Sequence, residues 1–192
     1  MKLYHVSNNE IDKIYVIKQL NTPEDKPKGF WYSPNNEWEN WLRREYESIQ
    51  KKEVYLVEVN RTTLDNPDPT KVLSIKTSND WDRFTIKYGY PIYFNRRMIG
   101  IHINWFEVSK EFAGIEIIPF QNAKTIFVTL SKSSKKLLKE KFPNIEYNTV
   151  FWYSSWDISS GCVWGKGGIT KCEWIKEILP ENKKHFEELI YD

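Results

Sequence analysis

The sequence predicts an α+β fold, and three observations carry that expectation. Short apolar or aromatic runs at residues 2–7, 30–33, 54–59, 72–75 and 115–120 have strand composition. Helix-period segments fall between them unequally, rather than one after each strand, which disfavours a doubly wound sheet. With 192 residues and neither a repeat, a low-complexity run nor a convincing linker, the chain is expected to be one domain over 1–192, with 124–148 as a peripheral insertion.

Residues 2–7 form a brief strand with His5 in its middle, ended by the turn-like Asn8-Asn9-Glu10. Residues 12–20 alternate only loosely. The polar stretch 21–29, with Pro23, Pro27 and Gly29, excludes regular structure and delivers the chain to Phe30-Trp31-Tyr32. Ser33-Pro34 reads as a helix start, and Trp38, Trp41, Leu42 and Tyr46 recur at three and four, so a helix is expected over about 35–50. Strands at 54–59 and 72–75 flank an Asn66-Pro67-Asp68-Pro69 turn, and 78–88 reads as a helix capped by Ser78 or Asn79. Residues 103–112 read as a short helix with Asn104 and Glu107 in a capping-box pattern; it stops at Gly114, and the next strand carries Glu116 among apolar neighbours. The lysine-rich 131–141 is expected to be a solvated helix, 149–153 an aromatic strand, and 183–191 a terminal helix.

Composition narrows the function classes. Lysine and arginine number 28 against 26 acidic residues, a formal net charge of +2, so no global field points to nucleic acid or a membrane surface. Cys162 and Cys172 are the two cysteines, without histidine at ligand spacing, so neither a zinc site nor a disulfide framework is expected and a reducing cytoplasm fits. No segment approaches the roughly 18 apolar residues of a membrane span, and residues 1–5 lack a signal-peptide run; the mature protein is expected to start at Met1. Aromatic residues make up 16% of the chain, enough to supply both core and ring-stacking surfaces.

Tyr4-His5-Val6-Ser7 followed by Gly29-Phe30-Trp31-Tyr32-Ser33 resembles the first two motifs of ADP-ribosyltransferases of the diphtheria-toxin and poly-ADP-ribose-polymerase type, whose pattern is His, Tyr, then Glu. The resemblance covers about the first 60 residues, and segments 105–120 and 152–164 are similar to small members associated with bacteria, phages and large viruses. It implies a split pair of antiparallel-rich sheets with flanking helices, gripping NAD as co-substrate. His5 would bond the adenosine-side ribose, Ser7 would sit beside the nicotinamide-binding backbone, Tyr32 would stack on the nicotinamide, and Ser33 would border the same pocket. The chemistry needs a carboxylate against a sugar that gains oxocarbenium character. Glu116 is the candidate, with Glu58 and Asp157 as rivals; Trp156, Asp157 and Ser160 are candidate substrate or cofactor contacts.

The activity so implied is mono-ADP-ribosylation of a macromolecular acceptor, protein or nucleic acid, in a toxin or phage–host conflict role that would admit a neutralising partner protein. NAD glycohydrolysis is the alternative enzyme reading. A third is a non-catalytic single-strand binder that uses Trp31, Tyr32, Trp152 and Tyr153 as a stacking platform beside the lysines of 132–141. Plain structural roles stand next to each assignment: His5 as a structural histidine, Glu116 on the polar face of an edge strand, 156–161 as a tight turn, Cys162 as a buried inert thiol, and His102 and His185 as surface or structural residues.

Overall fold

Strand β1 (Leu3–Ser7) sits between β2 (Phe30–Pro34) and β4 (Lys52–Val59) in an eight-stranded sheet of order β11-β4-β1-β2-β10-β9-β6-β5. The computed structural model describes residues 1–45, 48–121, 131–144, 152–179 and 181–182. The remaining members of the sheet are β5 (Arg61–Thr62), β6 (Asp68–Ile75), β9 (Phe112–Ile117), β10 (Ser160–Val163) and β11 (Ile169–Ile178). Helices α1 (Glu37–Glu45), α2 (Ser78–Tyr88), α3 (Trp105–Glu111) and α4 (Lys132–Lys141) surround it, so the chain is mixed α+β. Two small ladders complete the described part: β3 (Ser48–Ile49) with β12 (Glu181–Asn182), and the hairpin β7 (Gly89–Phe94) with β8 (Arg97–Ile103). No helix among the described residues is long and apolar enough to cross a membrane.

Two features of the ladder decide where side chains meet. First, β2 is shared between two halves: Ser33 and Pro34 pair with β1, whereas Phe30, Trp31 and Tyr32 pair with β10. Second, β4 and β5 are separated by Asn60 alone, so one run of chain pairs with β1 at its start and with β6 at its end. The circuit β4-β1-β2-β10-β9-β6-β5 therefore returns to the run it left, and the strand directions agree all the way round, because only the β5–β6 and β6–β9 ladders are parallel. Asn60 seals the join by donating its N–H to the Gly168 carbonyl at 3.0 Å and accepting from Val72 N–H at 2.7 Å.

Alternation along the strands sends successive side chains to opposite faces of this wrapped sheet. The inner face holds Leu3, Tyr32, Val57, Val72 and Val163 as one cluster. The outer face is larger: Leu73, Ile75, Ile115, Ile117 and Cys162 pack with Trp81, Phe84, Trp105 and Val108 from α2 and α3. Beside it, Val54, Tyr4 and Val6 pack with Leu42, Trp38 and Trp41 of α1.

Several boundaries differ from expectation. The first helix spans Glu37–Glu45 instead of 35–50; Ser33 and Pro34 finish β2, and Asn35 turns the chain at φ 50° before the helix can begin. Thr77, not Ser78 or Asn79, caps α2 through a reciprocal box with Asp80. Asn104 caps α3 by accepting from Glu107 N–H as its spacing predicts, but the following strand starts at Phe112 and runs through Gly114 instead of starting after it. Gly114 lies in the ladder because β10 comes so close that a Cβ there would meet the Cys162 carbonyl oxygen at 2.6 Å. Trp152 and Tyr153, expected in a strand, lie in a turn with both rings buried in the outer core. The basic helix α4 is not wholly solvated: Leu138 is buried, and Asp82 of α2 accepts the Ser131 N–H at 3.1 Å. The β7–β8 hairpin and β11 have no counterpart among the elements expected from the sequence. The proposed helix at 183–191 and the ends of the 124–148 insertion lie outside the described residues.

Candidate functional site

The fork in β2 is held by His5. Its Nδ1–H donates to the Trp31 carbonyl at 2.5 Å, replacing the backbone bond that β1 can no longer make once β2 has turned towards β10. The ring stacks on Phe30 with centroids 4.0 Å apart. Burial lowers the pKa of His5 more than the bond to Trp31 raises it, so the ring is held neutral.

Tyr32, next on the strand, points inward. Its phenol crosses β10 over Gly161, whose register partners are Tyr32 on one side and Glu116 on the other. A Cβ at 161 would meet the Tyr32 ring at 2.3 Å, so the absent side chain is what lets the phenol reach Glu116 Oε2 at 2.9 Å. The other carboxylate oxygen, Oε1, accepts from Arg61 Nε at 2.6 Å and from the Ser74 hydroxyl at 2.8 Å. Ser74 faces Glu116 across the parallel β6–β9 ladder, and Arg61 comes from β5 at the closure of the ring. Tyr32 is fully buried and Glu116 is 2% exposed, while the Arg61 side chain is 36% exposed and gives the network its outlet to solvent. Burial, then the Glu116 charge, drives the Tyr32 pKa far above its ordinary value, which keeps the phenol a donor.

The second grouping lies on the outer face. Trp31 of β2, Trp38 and Trp41 of α1, and Trp156 just before β10 wall a pocket of about 200 Å³ that Lys26, Asp157, Ile158 and Ser160 complete. The rings of Trp31 and Trp156 meet edge to face at 5.0 Å, and Lys26 Nζ lies 5.7 Å from the Trp31 ring centroid. Glu37 fixes this assembly: its carboxylate accepts the Ser159 N–H at 3.0 Å and ties the loop before β10 to the first turn of α1. Trp156 Nε1 is buried without a hydrogen-bond partner among the described residues, whereas Asp157 is exposed at the rim.

The residues singled out in the sequence thus fall into two groups on opposite faces of one strand. His5 and the Tyr32–Glu116 pair occupy the inner side; Trp156, Asp157 and Ser160 line the outer pocket with Trp31. Ser33 alternates away from Tyr32, is fully buried, and its hydroxyl has no hydrogen-bond partner among the described residues. Ser7 accepts the Asn9 N–H at 3.2 Å at the exposed end of β1. Glu58 is exposed on β4, opposite Lys171 of β11. Cys162 is buried and its pKa is raised by that burial, so it is a packed thiol. The stacking platform of Trp31, Tyr32, Trp152 and Tyr153 does not exist as a surface, because the last three are fully buried. Arg61, Ser74, Trp38, Trp41 and Lys26 were missed as site residues; Trp38 and Trp41 were legible as a helix face, the other three only through long-range pairing.

No protein-family model matches this chain, and neither a curated protein nor a solved structure matches it at a significant level.

Proposed function

We propose that the chain is a mono-ADP-ribosyltransferase that uses NAD as co-substrate to modify a macromolecular acceptor, with the nicotinamide end of NAD in the four-tryptophan pocket. The observation that carries the reading is that three stretches singled out in the sequence, Gly29 to Ser33, the helix after it, and Trp156 to Ser160, meet around that one pocket. At about 200 Å³ it has room for a single flat ring, not for a whole dinucleotide, whose remainder would run over the rim. Tryptophan faces suit a flat heteroaromatic ring. Lys26 at the rim offers positive charge to the pyrophosphate.

The carboxylate opposite the sugar is Asp157 in this reading. Cleavage of the nicotinamide–ribose bond leaves positive character on the ribose, and an anion held at the rim stabilises that state more than the ground state. Glu116 is less suited, since both its oxygens are engaged and it is 2% exposed. Its network and His5 instead hold β2 in place, and with it Trp31.

Labelled NAD incubated with a cell lysate tests this. Wild type is expected to transfer label to acceptor, Asp157→Asn to lose about 10²- to 10³-fold with unchanged thermal unfolding, and Trp41→Ala to raise KM for NAD. Transfer undiminished in both variants overturns the assignment. Nicotinamide release without labelled acceptor moves the reading to NAD glycohydrolysis.

A further inference from the structure

The β7–β8 hairpin carries a concentration of exposed rings that no core needs. Tyr90 is 51% exposed, Tyr93 59% and Phe94 65%, within five residues of one another. Its turn is built from Asn95 at φ 46° and Arg96 at φ 64°. Glycine is the usual second residue of such a turn, since a side chain there is strained; a guanidinium kept at the tip despite that strain points to a use for its charge. Arg97 follows it, also exposed.

Behind the hairpin runs a groove of about 560 Å³ between β7 and the end of α4, walled by Tyr88, Tyr90, Tyr93 and Phe142 and edged by Lys87 and Lys141. Lys141 Nζ donates to the Lys87 carbonyl at 3.1 Å, which fixes the end of α4 beside the start of β7. Glu107, the carboxylate on the groove wall among the described residues, is held by Lys110 Nζ at 2.7 and 2.8 Å, and Lys87 Nζ is paired with Glu111 Oε2 at 2.6 Å, so the positive charge offered to an anion sits on Arg96 and Arg97 at the tip.

We infer that this groove and the hairpin tip bind single-stranded nucleic acid, with unpaired bases on the tyrosine and phenylalanine rings and phosphates on Arg96 and Arg97. Flat rings followed by a pair of cations match a strand whose bases are free of pairing, and a duplex hides the faces that those rings would take. The formal net charge is only +2, so attraction is local to this patch and stacking carries a large share of the affinity. The inference stands apart from the transferase reading and is measured without NAD.

The test is fluorescence anisotropy of a short fluorescein-labelled single strand of mixed sequence, with the matching duplex as comparison, across a salt series. Wild type is expected to bind the single strand more tightly than the duplex. Tyr93→Ala is expected to weaken binding about 5- to 100-fold, and Arg96→Ala to shallow the log–log salt slope by about 0.7. Both positions are exposed, so unchanged thermal unfolding shows that the variants fold. Three results overturn the inference: no single-strand binding at low salt, equal binding by both variants, or equal binding of duplex. A concentration-dependent dimer of wild type that Tyr93→Ala abolishes assigns the face to a second copy of the chain and also overturns it.

Discussion

Glu116 shows how one residue changes meaning between sequence and structure. A lone glutamate on an apolar strand has the composition of an edge position or an active site, yet here it is a buried hub for an arginine and two hydroxyls. Removing its charge while keeping its shape leaves Arg61 without its partner, so Glu116→Gln is expected to lose about 3 kcal/mol in urea unfolding, at the low end for a broken buried pair because Arg61 reaches solvent. Gly161→Ala drives a methyl into the Tyr32 ring and is expected to cost about 1–3 kcal/mol by the same measurement. His5 sets a pH dependence. Because its folded pKa lies below 6.5, the folded state binds fewer protons than the unfolded one between those two values. Stability is therefore full above 6.5 and falls as pH drops through the folded pKa; thermal unfolding should show this loss in wild type and a flatter profile in His5→Gln.

Among the elements, α1 and the loop before β10 matter most, because neither makes the pocket alone. Trp38 and Trp41 lie one helical turn apart on the face turned towards β2, and Glu37 in the first turn reaches across to the Ser159 amide. A charged acceptor on a partly buried amide is worth about 1.5–3 kcal/mol. Glu37→Ala should therefore loosen the loop more than the fold: limited proteolysis is expected to cut near 156–160 faster than in wild type, with a smaller change in global unfolding. Helix α2 is stabilised differently, by the Thr77–Asp80 box at its start and by Trp81 and Phe84 in the outer core.

At the scale of the whole molecule, the closure of the sheet through Asn60 binds the two halves that diverge at β2. Proline at this position removes the N–H that bonds to Gly168 and places its ring in a paired strand, so Asn60→Pro should cost about 3 kcal/mol or more in denaturant unfolding. The same closure explains why the inner face tolerates a charged network: the ring excludes water from Tyr32 and Glu116, and Arg61, entering at the join, compensates the carboxylate.

Local chemistry alone determined much of this protein. Strand runs at 2–7, 30–33, 54–59 and 72–75, the cap at Asn104, and helices over 78–88 and 131–141 all follow from short-range periodicity and capping, which depend only on neighbours in the chain. Gly29 to Ser33 stood out in the sequence by its aromatic run and its resemblance to a known motif, while Trp156 to Ser160 also read as a tight turn; both line the tryptophan pocket. Which face each side chain serves was not legible. Residues 31 and 32 look alike in sequence, but pairing with β10 sends Trp31 to a pocket and Tyr32 into the interior. The β7–β8 hairpin was hidden by Pro91 and a turn without glycine, and β11 by charges suited to its place at the edge of the sheet. Burial, the Arg61–Glu116 contact over 55 residues, and the wall of four tryptophans arise from long-range register, and only the tertiary structure decided them.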